Sequence, residues 1–151
     1  MQGQLDSKPL PSYGRILYAT DGSPSAQEAG RHAVYLAQHS HAQLFVLYVI
    51  PASLTRRLSF LLRGAMAEET GMGRRAVDEI VRLAQASGVQ ALPVIESGHL
   101  GETIQRAASR FDVDLIVMSS KGGDDLQRIF GPAFSGGAPL WAARPVCVIL
   151  C

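Results

Sequence analysis

Cysteine is nearly absent from the chain: Cys147 and Cys151 stand alone, without CxxC spacing. That excludes a secreted scaffold built on disulfides and reads as the reduced thiols of a cytoplasmic protein. Long apolar runs are missing too. The longest, Leu44–Ile50, falls far short of the ~20 residues a membrane-spanning helix needs. The opening stretch, MQGQLDSKPLPSYG, has no apolar signal core, so neither export nor a membrane partner is expected. Excess charge is lacking as well. Fourteen Lys and Arg against thirteen Asp and Glu leave a formal +1 with no basic block, which argues against a nucleic-acid surface or a polybasic anchor.

The marks of catalysis are equally scarce. Ser119 and Ser120 follow an apolar strand pattern, yet the G-x-S-x-G elbow of hydrolases is absent. Lys121 stands beside Gly122, but the P-loop pattern G-x-x-x-x-G-K-[ST] does not occur. His99 has no second histidine two positions away, and His32, His39 and His41 have no acidic partner at metal-ligand spacing. With no nucleophile, base and orienter as a set, the chain is not expected to be an enzyme, and no metal site is expected.

What is present is a regular alternation. At 151 residues the chain suits one domain with one core. Met1–Gly14, with Pro9 and Pro11 among polar residues, reads as a flexible tail before a domain over 15–151. Arg15–Ala19 has a strand pattern. Ser23 suits a helix N-cap and Pro24 the first helical position, and Ala26, Ala29, Ala33, Leu36 and Ala37 give Pro24–His39 a stripe of mostly small residues. Gln43–Ile50 is apolar enough for a strand covered on both faces, and Pro51 ends it. Ala52–Ala67 reads as an irregular segment with the character of a lid, because Arg56, Arg57 and Arg63 keep it wet. A helix is expected from Glu68 through Ser87, weakened in its first turn by Gly71 and Gly73 and stopped by Gly88. Ala91–Glu96 follows as an edge strand, since Pro93 cannot donate to a ladder. Then come a helix over Gly101–Phe111, a strand at Leu115–Met118, a glycine loop, a weak helix starting near Pro139, and a last strand, Val146–Leu150.

Such βα alternation implies an α/β fold: a single, doubly wound, open parallel sheet of five strands in the order 3-2-1-4-5, with right-handed crossovers and helices on both faces. Strand order reverses between the first and fourth strands, so Ala19, Thr20 and Asp21 should lie beside Met118 and Ser119 at the strands' carboxyl ends, where ligands of such sheets settle. Gly122, Gly123 and Gly131 follow close behind. Glycine lets backbone approach a phosphate, although the same residues suit a tight βα turn. Asp21 faces the switch point, and it also suits a capping role for the helix that follows.

RILYATDGS (Arg15–Ser23), the strand ending LYVI (Leu47–Ile50), GHLGETI (Gly98–Ile104), DLIVMSSKG (Asp114–Gly122) and ARPV (Ala143–Val146) together resemble the universal stress proteins, over about Tyr13–Leu150. The resemblance implies a small cytoplasmic dimer related in fold to the adenine nucleotide alpha hydrolases, from a family in which one branch binds ATP. It implies Asp21 as the adenosine contact with Ala19 and Thr20 beside it, Val49 at the adenine, and Met118, Gly122 and Gly131 in the phosphate loop.

The loop departs from the family pattern in three places. Ser119 stands where the first loop glycine belongs, eight residues instead of nine separate Gly122 from Gly131, and Pro132 replaces a serine or threonine, removing a hydroxyl and an N–H donor. Asp124 and Asp125 offset Lys121 and Arg128 within the same loop. The expectation is therefore a stress-associated sensor or binding module with an altered adenine-nucleotide pocket, taking magnesium only together with a nucleotide. The alternatives are a competent ATP-binding switch, with hydrolysis incidental, and a nucleotide hydrolase or transferase depending on His99 or Lys121. Val146–Leu150, apolar at a sheet edge, needs cover. The resemblance implies a homodimer formed by this strand lying antiparallel to its copy, with an unidentified protein partner besides.

Overall fold

Seven consecutive buried residues, Leu44–Ile50, run along the middle of the second strand, and the molecule is arranged to cover them on both sides. The computed structural model describes residues 8–52, 63–120 and 144–150. In chain order these form β1 (Arg15–Thr20), α1 (Pro24–Ser40), β2 (Gln43–Pro51), α2 (Arg63–Ala86), β3 (Ala91–Gly98), α3 (Leu100–Arg110), β4 (Leu115–Ser120) and β5 (Val146–Leu150). The strands make one sheet in the order β3-β2-β1-β4-β5, every pair parallel, as the alternation predicts.

Strand geometry sends alternate side chains to opposite faces. Ile16 and Tyr18 of β1, with Leu44, Val46 and Tyr48 of β2, meet α1 and α2 through Ala29, Ala33, Val77 and Ile80. On the other face Leu17, Ala19, Phe45, Leu47, Ile116 and Met118 meet Ile104, Ala107 and Ala108 of α3. Small residues allow close approach on the first face. A Cβ at Gly30 of α1 would stand 2.6 Å from Ile80 Cδ1, and one at Gly73 of α2 would stand 2.3 Å from the Tyr48 ring.

The three helices stop in the same way. Beyond each, a residue takes the left-handed conformation: His41 (φ 55°), Gly88 (φ 77°) and Asp112 (φ 50°). The next residue's N–H then reaches back to the helix: Ala42 to Ala37, Val89 to Ala84 and Val113 to Ala108. This arrangement satisfies carbonyls that a helix end otherwise leaves open. Ala42, Val89 and Val113 are each buried and lead into β2, β3 and β4.

Some boundaries differ from expectation. Helix α2 begins at Arg63, so the end of the segment read as irregular is helical: Ala65-Met66-Ala67 are strong helix formers, and flanking arginines do not oppose a helix. Gly71 and Gly73 accordingly both lie inside α2, not in its first turn. Strand β4 continues through Ser119 and Ser120, because backbone pairing with Ile149 and Leu150 of β5 holds residues whose side chains suggest a loop. Residues 53–62, the glycine loop with Gly122 and Gly131, and the weak helix near Pro139 lie outside the described residues. Of the stretch read as a tail, Gly14 donates its N–H to Asp114 Oδ2 and Tyr13 packs on the core. Among the described residues no helix is long and apolar enough to cross a membrane.

Candidate functional site

Strands β1 and β4 are neighbours, yet their ladder ends early. Pairing runs from Ile16↔Leu115 to Tyr18↔Val117 and stops, although both strands continue for two or three residues. Each keeps its other neighbour to the tip: β1 pairs with β2 as far as Thr20↔Tyr48, and β4 with β5 as far as Ser120↔Leu150. The sheet therefore splits at its topological switch point, and the split opens a cleft of about 50 Å³.

Ala19, Thr20 and Asp21 form one wall, Met118 and Ser119 the other, and Leu100 and Ile104 of α3 close the side. The deep part is apolar, with Ala19, Ile104 and Met118 all buried. The rim is polar. Asp21 is exposed and is the one acidic or basic residue among the described lining residues.

The turn after β1 fixes Asp21 from both sides. Ser23 N–H donates to Asp21 Oδ1 at 2.8 Å, and Gly22, left-handed at φ 82°, donates its N–H to Thr20 Oγ1 at 3.0 Å. Thr20 Oγ1 in turn donates to Gln27 Oε1 (3.1 Å), whose amide nitrogen reaches the Ala76 carbonyl (3.1 Å) and Glu79 (3.2 Å) on α2. The threonine hydroxyl is thus held by the turn and α1, and what Thr20 offers the cleft is backbone. Below it, Tyr18 is fully buried and donates to the Ala26 carbonyl in the first turn of α1. Burial pushes its phenol up from the ordinary value near 10, so it remains a neutral donor. Asp21 both supports the turn and presents a second oxygen, Oδ2, without a partner among the described residues.

Five of the residues expected at the site therefore meet there: Ala19, Thr20, Asp21, Met118 and Ser119. Val49 lies on the same face of the sheet as Ala19 and Met118 but does not line the cleft. Leu100 and Ile104 are additions. Topology carried the signal for them, because a crossover from β3 at one edge to β4 must pass over β2 and β1. His99 is the exposed N-cap of α3 and makes no side-chain capping bond. No group of three metal-ligating side chains occurs among the described residues. A larger hollow, about 300 Å³, lies at the opposite end of the sheet by Gln38, His41 and Gln90. Its described walls hold no acid, lysine or arginine, and helix-end carbonyls there are already bonded.

A family model described as the Universal stress protein family matches residues 12–134. The chain belongs to the universal stress protein family. Sll1388, a universal stress protein of Synechocystis sp., is 30% identical over 131 residues, covering 78% of this chain and 85% of the relative. MJ0531, a universal stress protein of Methanocaldococcus jannaschii, is 30% identical over 121 residues, covering 78% and 70%. Among solved structures, a universal stress family protein from Burkholderia pseudomallei superimposes with a TM-score of 0.70 at 25% identity, covering 95% of this chain and all of the other. Two more universal stress proteins share the fold. The one from Archaeoglobus fulgidus, in complex with dAMP, has a TM-score of 0.65 at 17% identity, covering 92% of this chain and 99% of the other. Another, in complex with cAMP, has a TM-score of 0.60 at 18% identity, covering 93% and 98%.

Proposed function

We propose that this universal stress protein is a non-enzymatic, dimeric binding module of the cytoplasm that takes an adenosine or adenosine monophosphate in the β1/β4 cleft. The observation that carries the reading is the split itself: an apolar floor ending at one fixed carboxylate. A flat, weakly polar base suits the floor, and a carboxylate oxygen at the rim accepts hydrogen bonds from neighbouring hydroxyl or amino groups. Both ligands named for the structural neighbours, dAMP and cAMP, are adenine nucleotides carrying a single phosphate. A triphosphate is disfavoured by the loop sequence, where Pro132 lacks the N–H and hydroxyl of the family residue and Asp124 and Asp125 repel phosphate unless magnesium intervenes. Binding would be signalled to a protein partner, with the edge of β5 covered by a second copy of the chain.

Calorimetry with adenosine, AMP and ATP, each with and without magnesium, tests this. The expected result is binding of adenosine or AMP that is independent of magnesium and weakened at least about tenfold in Asp21→Ala, the loss of one charge-assisted hydrogen bond. Tight, magnesium-dependent ATP binding would replace this reading with an ATP switch. Multiple turnovers of a nucleotide substrate would replace it with an enzyme.

A further inference from the structure

We propose that Leu100 sets the size of ligand the β1/β4 cleft accepts, by occupying the cleft when no ligand is bound and swinging out when one enters. The inference rests on the adenosine reading of the site. At about 50 Å³ the cleft holds one or two water molecules, whereas small-molecule pockets run to roughly 300 Å³ or more. A nucleobase enters only if part of the wall moves.

Most of the described wall is fixed. Ala19 and Met118 are buried in strands, and Ile104 is 1% exposed with its neighbours Ala107 and Ala108 packed on the sheet. The Asp21 turn is tied by the bonds from Gly22 and Ser23. Leu100 differs on three counts. Among the described lining residues it is the large apolar side chain that is exposed, at 38%. It is the first residue of α3, and helical side chains lean toward the N-terminus, so it overhangs the helix end with no preceding turn beneath it. The N-cap before it, His99, makes no side-chain capping bond, leaving the first turn without that restraint.

Leu100 also stands one helical turn from Ile104, on the same side of α3. Swinging outward, it therefore leaves Ile104 behind as an intact apolar floor. A ligand that binds only the open arrangement shows an affinity reduced by the fraction of molecules that are open. Removing the obstacle restores that fraction. Filling the space removes it.

The test is titration calorimetry with adenosine on the full chain carrying Leu100→Ala or Leu100→Trp, with thermal melts confirming that both variants are folded. Leu100→Ala should bind about threefold to tenfold more tightly than the parent, the gain expected when an open fraction of roughly 10–30% becomes complete. Leu100→Trp should bind at least about tenfold more weakly. Parent binding left unchanged in both variants, or weakened in Leu100→Ala, would overturn the role of Leu100 while leaving the adenosine site standing. Absence of binding in all three proteins, the opened Leu100→Ala included, would overturn the adenosine reading and this inference with it.

Discussion

Two glycines two positions apart in α2 show how little a residue's type says without its neighbours. In isolation Gly71 and Gly73 each cost a helix up to about 1 kcal/mol relative to alanine. A Cβ at Gly71 would meet nothing closer than an arginine nitrogen at 4.0 Å, whereas one at Gly73 would collide with the Tyr48 ring at 2.3 Å. Gly71→Ala should therefore raise stability by up to about 1 kcal/mol. Gly73→Ala should lower it by about 1–3 kcal/mol, because the overpacking at Tyr48 outweighs the gain in helix propensity. Denaturant titration of the two variants checks the opposite signs, and equal effects would disprove the contact. The sequence makes both glycines legible as helix weaknesses. It does not reveal why Gly73 is tolerated, since Tyr48 comes from a different strand and meets it only in the folded sheet.

The same contrast holds for whole elements. Strands β2 and β4 are readable from their apolar runs because burial on both faces leaves no room for polar residues, and the stop of α2 is readable because Gly88 is what a left-handed position ordinarily takes. The stops of α1 and α3 use His41 and Asp112 in the same conformation, and neither residue type marks a helix end as glycine does. These two positions hold strained backbone. His41→Gly should stabilise the protein by about 0.5–1 kcal/mol, the left-handed cost of a side chain less the entropy that glycine adds to the unfolded state. A rise in the urea midpoint with an unchanged slope is the expected reading, and a fall would show that the imidazole contributes more than its backbone costs. The candidate site was legible to a similar degree. Ala19, Asp21 and Met118 follow from topology alone. The early end of the β1–β4 ladder does not, because it depends on backbone hydrogen bonds that no side-chain pattern encodes. Leu100 went unread because its chain position, after the outermost strand, conceals that α3 returns across the sheet to β1.

At the scale of the molecule, β1 and β4 form a clamp held at one end. Asp114 Oδ2 accepts N–H groups from Gly14 and Arg15 at 2.8 and 2.9 Å, and the Asp114 N–H returns a bond to the Arg15 carbonyl at 2.7 Å, fixing the strands where they begin. Arg144 Nε reaches the Val113 carbonyl at 3.0 Å and secures the approach to β5 at the same end. At the other end the β4 wall of the cleft has, among the described residues, β5 as its sole strand partner, through Ser119↔Ile149 and Ser120↔Leu150. Strand β5 is a sheet edge, and Leu150 is 73% exposed. A second copy laid along this edge in the proposed dimer would stiffen β5, and through it the wall formed by Met118 and Ser119. Leu150→Lys removes an exposed apolar group and adds a charge that an edge-to-edge pairing resists, at little cost to the single chain. Light scattering should then give a mass near the 16.2 kDa of one chain in place of twice that value. Amide exchange at Met118–Ser120 should quicken in the same variant, and adenosine binding should weaken, because a looser wall loses more freedom when a ligand orders it. A halved mass with exchange at β4 unchanged would separate the two ideas: the edge would be an interface, and the cleft would owe its shape to the single chain.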